Sequence, residues 1–125
     1  GMQKRIEQQR STMAGNLVRL HAAGVPVVLG TDAGNPLTLH GPSVFVELEA
    51  MQQAGLPPTA VLVAATRDAA RAMGRGDDLG LLAAGRIADL LVLTEDPGKD
   101  VRAFRSVTHV CRGGHLHDRA ALLPR

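Results

Sequence analysis

Ile6, Met13, Leu17 and Leu20 follow one another at intervals of seven, four and three, which aligns them on one stripe of a helix and leaves Lys4, Arg5, Glu7 and Arg10 largely elsewhere. The spacing predicts an amphipathic helix over residues 3–23, closed by Gly24 as its C-cap. Residues 25–30 come next, a run rich in β-branched valine with Pro26 near its start, where a missing N–H does least harm. The run has no polar alternation and predicts a strand covered on both faces, as in a parallel sheet. Residues 32–42 mix glycine and proline without an apolar period and read as a loop. Val44, Phe45, Leu48 and Met51 then recur at helical spacing until Gly55. Pro57 and Pro58 open a further helix, with Pro58 suited to the first turn; Leu62, Ala65, Ala69 and Ala72 run along it to Gly74.

After the polar break RGDD at 75–78 the pattern changes to short strands, expected at 79–82, 87–93, 107–112 and 115–117. Turns fall at Ala84-Gly85, at Asp96-Pro97-Gly98 and at Gly113-Gly114. A two-glycine turn tolerates positive φ at both central positions, so the last two strands read as a hairpin. Helix, buried strand, two helices and then about four short strands suggest an α/β chain: a βα piece followed by a small β-region.

Composition narrows the function classes. At 125 residues the chain fits one domain and can bury a working core, but a complete eight-unit barrel needs on the order of 250 residues. The formal charge is +2, the twelve arginines are scattered, and Phe45 and Phe104 are the only aromatics. That leaves nothing to build a base-stacking platform and argues against a nucleic-acid partner. The apolar runs fall far short of the ~20 residues of a membrane span, and the N-terminus GMQKRIEQQR is polar where a signal peptide would be apolar. Cys111 is the single cysteine, which excludes a disulfide within the chain and a four-thiolate zinc site. This suits a reducing compartment and points to the cytoplasm. Gly1 ahead of Met2 reads as a residue left by tag removal, with Met2 as the start of the reading frame.

The candidate chemistry sits in VVLGTDAGNP, residues 27–36, where an aspartate stands at the point at which the valine-rich run becomes a turn. Taken alone, Asp32 followed by Ala-Gly suits a turn cap. It is, however, the first of a series. GTDAG at 30–34, His40-Gly41, a helix carrying Glu47 and Glu49, AATRDAARAMG at 64–74 and LGLLAAGRIADLLVL at 79–93 resemble, in that order, the C-terminal third of metal-dependent amidohydrolases. The likeness is to the imidazolonepropionase and Xaa-Pro dipeptidase-like group. The resemblance implies a fragment of a (β/α)8 barrel, its last strand and flanking helices in residues 1–78, followed in 79–125 by strands of a small composite β-sandwich. It also implies that Asp32 corresponds to the aspartate ending the last barrel strand, where such enzymes place catalytic groups. There the carboxylate touches a zinc-like divalent ion, takes a proton from the attacking water and passes it to the leaving amine. Asp32 is thus the candidate catalytic residue, and a metal ligand only in a completed barrel. His40 would face the substrate, against the alternative of a loop histidine bonded to backbone.

The family's other ligands come from earlier strands, so no metal is expected to bind tightly to this chain alone. His115-Leu116-His117 forms a His-x-His on a strand, with both rings on one face, but it lies in a terminal hairpin and reads as structural. His21 and His109 read as helix-surface and strand residues, and Cys111 as a small buried side chain. The expectation is the C-terminal portion of an amidohydrolase acting on C–N bonds of cyclic amides or dipeptides, silent by itself. The alternatives are one subunit of a split barrel hydrolase, or a stand-alone binding or assembly module. Partners follow from this: the missing N-terminal barrel portion, or other copies of the chain.

Overall fold

The computed structural model describes residues 1–36 and 38–122, so position 37 of the expected 32–42 loop lies outside the described residues. Helix α1 (Met2–Ala22) is built from residues with good helix propensity. It ends as expected: Gly24 takes φ +74° and its N–H reaches the His21 carbonyl at 3.0 Å. No residue of α1 is buried. Of its apolar stripe only Leu17 packs against the core, while Ile6, Met13 and Leu20 are exposed. Helix α2 (Pro42–Gln53) starts on a proline and buries Leu48 and Met51.

The predicted third helix is two. Helix α3 (Pro58–Ala65) and helix α4 (Arg67–Ala72) are separated at Thr66, whose φ of −123° and ψ of −86° are not helical. The Thr66 hydroxyl donates to the Leu62 carbonyl at 2.7 Å, a local bond that competes with continuation of the helix. The break resets the phase, so the buried positions are Val61, Ala64 and Ala70 rather than the Leu62, Ala65, Ala69 and Ala72 stripe read from the sequence.

Strands β1 (Leu90–Leu93), β2 (Val107–Arg112) and β3 (His115–Asp118) form an antiparallel sheet in the order β1-β2-β3. Leu90 pairs with Cys111 and Val110 with His117, and the register shifts once between Val92 and Leu93. Gly113 and Gly114, at φ +56° and +84°, make the hairpin turn. A 3-10 helix (Val101–Ser106) lies between β1 and β2, and a short helix α5 (Arg119–Leu122) follows β3.

Two expected strands do not form. Residues 79–82 turn back on themselves, with the Ile87 N–H bonded to the Asp78 carbonyl. Residues 25–30 pair with no strand, and Val25 and Val28 are exposed, so this run is not covered on both faces. A strand exists only where a neighbour exchanges backbone bonds with it, and among the described residues neither segment has one.

The core joins the helical and sheet regions. Leu48 and Met51 of α2, Leu56, and Val61 and Ala64 of α3 pack with Val101 and Phe104 of the 3-10 helix, with Val27 and Leu29 alongside. Gln52 fastens the same junction, accepting from the Val101 N–H at 2.8 Å and donating to Asp100 at 3.4 Å. The accessible surface is 9138 Å², where a folded monomer of this mass exposes about 6,400 Å². Among the described residues no helix is long and apolar enough to cross a membrane.

Candidate active site

Asp32 stands where residues 25–31 leave the core. It is the one described non-glycine residue with positive φ, at +50°, a conformation that Asp and Asn tolerate better than most side chains. Asn35 holds the turn from the other side. Its amide donates to Asp32 Oδ2 at 2.7 Å and to the Asp32 carbonyl at 3.0 Å. Further bonds from Gly34 N–H to the Thr38 carbonyl at 3.1 Å, and from Thr38 N–H to the Asn35 carbonyl at 3.0 Å, fold the loop back. The return brings His40 to this turn, where its Nε2 lies 3.8 Å from the place a Cβ on Gly34 would take. Asp32 and His40 are both exposed. The structure therefore gathers the two candidates from the sequence on one solvent-facing loop. It adds Asn35, whose signal was an Asx residue three positions after an aspartate in a Gly/Pro turn.

The remaining histidines are dispersed. His115 and His117 are exposed on β3, His21 is exposed at the end of α1, and the His109 ring lies 3.0 Å from the Thr108 hydroxyl. Cys111 is buried, its thiol 3.3 Å from the Ala88 carbonyl. Among the described residues no three His, Cys, Asp or Glu side chains come together where they could hold a metal ion. Zinc sites recruit three or four protein ligands, whereas the Asp32 loop offers one carboxylate beside an amide. The donor set of the described residues does not fit a tightly held divalent metal.

Polar residues of the other motifs act on the backbone. Arg86 donates to the carbonyls of Gly76 and Leu79, and Asp89 accepts from the Gly113 N–H at 2.7 Å. The GRIAD stretch thus ties the 75–89 turns to the β2-β3 hairpin. Arg67 bonds Asp68 at 2.8 Å, and this hydrogen bond holds the Asp68 carboxyl below its ordinary range. Glu49 pairs with Arg105 at 2.6 Å, and the same guanidinium lies over the Phe45 ring at 5.2 Å.

Against known proteins, the profile of the amidohydrolase family matches residues 3–116. The chain belongs to the amidohydrolase family. It is 49% identical over 82 residues to an imidazolonepropionase of Aromatoleum aromaticum, a match covering 65% of this chain and 20% of that protein. Among solved structures it is similar to molinate hydrolase, with a TM-score of 0.77 and 32% identity over 89% of this chain and 28% of the other. It is also similar to a Xaa-Pro dipeptidase with methionine bound in its active site, with a TM-score of 0.75 and 26% identity over 84% of this chain and 25% of the other. This amidohydrolase chain spans 20–28% of the length of these relatives. Both branches named from the motif series, the imidazolonepropionases and the prolidase-like enzymes, are among its relatives.

Proposed function

We propose that the chain supplies the C-terminal portion of a metal-dependent amidohydrolase that cleaves C–N bonds of cyclic amides or dipeptides. Residues 1–78 would complete the barrel and residues 79–125 its small β-region. What carries the reading is the family match along residues 3–116, within which Asp32 follows the valine-rich run of residues 25–31 at the start of a loop. Within such an enzyme Asp32 holds a proton: the attacking water gives it to the carboxylate as oxygen bonds to the carbonyl carbon, and Asp32 returns it to the departing nitrogen. Asn35 keeps Oδ2 oriented for this transfer, and His40 faces the substrate from the far side of the turn. The groups that would complete a metal site belong to the remainder of the barrel, and the chain alone is silent.

The test is reconstitution. The chain is joined to, or mixed with, the N-terminal four-fifths of a related amidohydrolase, and hydrolysis of an imidazolone ring and of Xaa-Pro dipeptides is followed. Activity absent from either part and present in the joined protein is the expected result. A correctly folded joined protein that hydrolyses neither class, or full activity in the N-terminal part without this chain, would overturn the reading.

A further inference from the structure

The Asn35 side chain is committed to Asp32. Its Nδ2 donates to Asp32 Oδ2 at 2.7 Å and to the Asp32 carbonyl oxygen at 3.0 Å. An ionised carboxylate and a main-chain carbonyl only accept, so the nitrogen of the amide and not its oxygen faces Asp32, and the two acceptors take up the two N–H bonds that an amide carries. The carboxylate and the backbone of Asp32 are thereby pinned to one atom, which fixes the side-chain rotamer. Packing does not do this. Asp32 is exposed, and among the described residues the Asn35 amide makes the one hydrogen bond to its carboxylate.

The main chain of the same residue has a different task. The Asn35 carbonyl accepts from the Thr38 N–H at 3.0 Å, and the Gly34 N–H donates to the Thr38 carbonyl at 3.1 Å. These bonds turn the chain back towards His40, whose Nε2 comes 3.8 Å from the place a Cβ on Gly34 would take. Neither bond uses the Asn35 side chain. The backbone at position 35 does not call for asparagine either, because the left-handed conformation of this turn falls on Asp32 and Gly34 and not on Asn35.

We infer that Asn35 is a positioning residue with divided duties: its side chain serves the proton transfer at Asp32, and its main chain serves the limb that carries His40. The inference deepens, and rests on, the reading of Asp32 as the residue that holds the proton. A general base acts only within hydrogen-bond reach of the proton it takes. Oδ2 keeps a second lone pair for that proton, and the amide holds it in one direction. With both N–H bonds engaged, Asn35 has none to give a substrate. Its removal leaves the Asp32 carboxylate chemically intact but free to turn, which is a loss of aim rather than of the base.

Asn35→Ala and Asn35→Asp test the inference in two measurements. Aspartate has the shape of asparagine and suits the same turn, but its carboxylate cannot donate, so a merely structural residue would tolerate it. Asn35 is exposed, so neither change enters the core, and thermal unfolding followed by circular dichroism verifies that both variants fold. In the full chain by itself, three-bond NMR couplings should show one Asp32 χ1 rotamer in wild type and averaging over several in both variants, while the temperature coefficient of the Thr38 N–H stays that of a bonded amide in all three. In the joined amidohydrolase, kcat should fall about ten- to a hundredfold in both variants with KM unchanged, the pattern of lost orientation. An averaged Asp32 in wild type, a fixed one in Asn35→Ala, or an Asn35→Asp enzyme as fast as wild type would each overturn the inference. So would a raised KM with unchanged kcat, which would put Asn35 on the substrate. If the joined wild-type protein is inactive, it is the functional reading that fails, and the Asp32 couplings of the chain by itself still decide the positioning.

Discussion

Replacing Gly80 with alanine isolates the contact that seats the LGLLAAGRIAD stretch on the helices. Gly80 has φ +85°, and a Cβ there would lie 2.8 Å from the Ala70 Cβ and the Thr66 carbonyl oxygen and 2.9 Å from the Arg67 Cα. These are backbone or first side-chain atoms at the α3-α4 junction and cannot swing aside. The left-handed conformation costs an alanine about 1–2 kcal/mol, and forcing a methyl group into filled space adds about 1–3 kcal/mol. Gly85 supplies the control. Its φ is +83°, and a Cβ there would meet nothing within 4 Å, so Gly85→Ala carries the conformational cost alone. Urea and thermal unfolding followed by circular dichroism should rank wild type above Gly85→Ala and Gly85→Ala above Gly80→Ala. At about 4 °C per kcal/mol for a chain of this size, the two variants should differ in Tm by about 4–12 °C. Coincident unfolding of the two would refute the reasoning, since backbone conformation would then account for everything and close approach for nothing.

Other outcomes follow from the core and from the acidic groups. Val61 is fully buried between α2 and the 3-10 helix, and Val61→Ala should cost about 2 kcal/mol in urea unfolding, from lost burial and the cavity left behind. Asp100 accepts hydrogen bonds from the Arg102 guanidinium at 2.6 and 2.9 Å and from the Arg102 N–H at 2.9 Å. Together with the Gln52 amide these hold its carboxyl down to about 2, from 3.8. A folded pKa below the unfolded one contributes stability that is complete above the unfolded value and is lost as pH falls through the folded one. Wild type should therefore lose stability between about pH 4 and pH 2 more steeply than Asp100→Asn, measured as urea midpoint against pH; parallel curves would contradict this.

What the sequence made legible divides along a physical line. Helix α2 and the hairpin could be read because their determinants are local: Val44, Phe45, Leu48 and Met51 at helical spacing in one, and a two-glycine turn, Gly113-Gly114, after the apolar run of β2 in the other. The runs at 25–30 and 79–82 carry strand-forming residues, but a strand is a property of two segments, and no residue within a run records whether its neighbour is present. The 3-10 helix went unread because Val101, Ala103 and Phe104 cover too few residues to set a period. Its local signal was Asp100, whose side chain caps the Arg102 N–H. The break at Thr66 lay inside an unbroken apolar pattern and is visible only through the hydroxyl bond to Leu62. The candidate site was legible as residue types in order, Asp32 and then His40. The amide of Asn35 on the Asp32 carboxylate, and the return of the loop that brings His40 back, depend on how the turn folds.

The central claim is that chemistry resides at the Asp32 loop and not at the histidines of the terminal hairpin. In the joined amidohydrolase the direct measurement is kcat for C–N bond hydrolysis by Asp32→Asn beside His117→Ala. Asparagine accepts the positive φ of position 32 and can still take the Asn35 hydrogen bond through its own carbonyl, but it cannot hold a proton at that oxygen. The account predicts a loss of about a hundred- to ten-thousand-fold for Asp32→Asn and an unchanged rate for His117→Ala. An enzyme indifferent to Asp32→Asn, or disabled by His117→Ala, would place the active site at the wrong end of this chain and contradict the account.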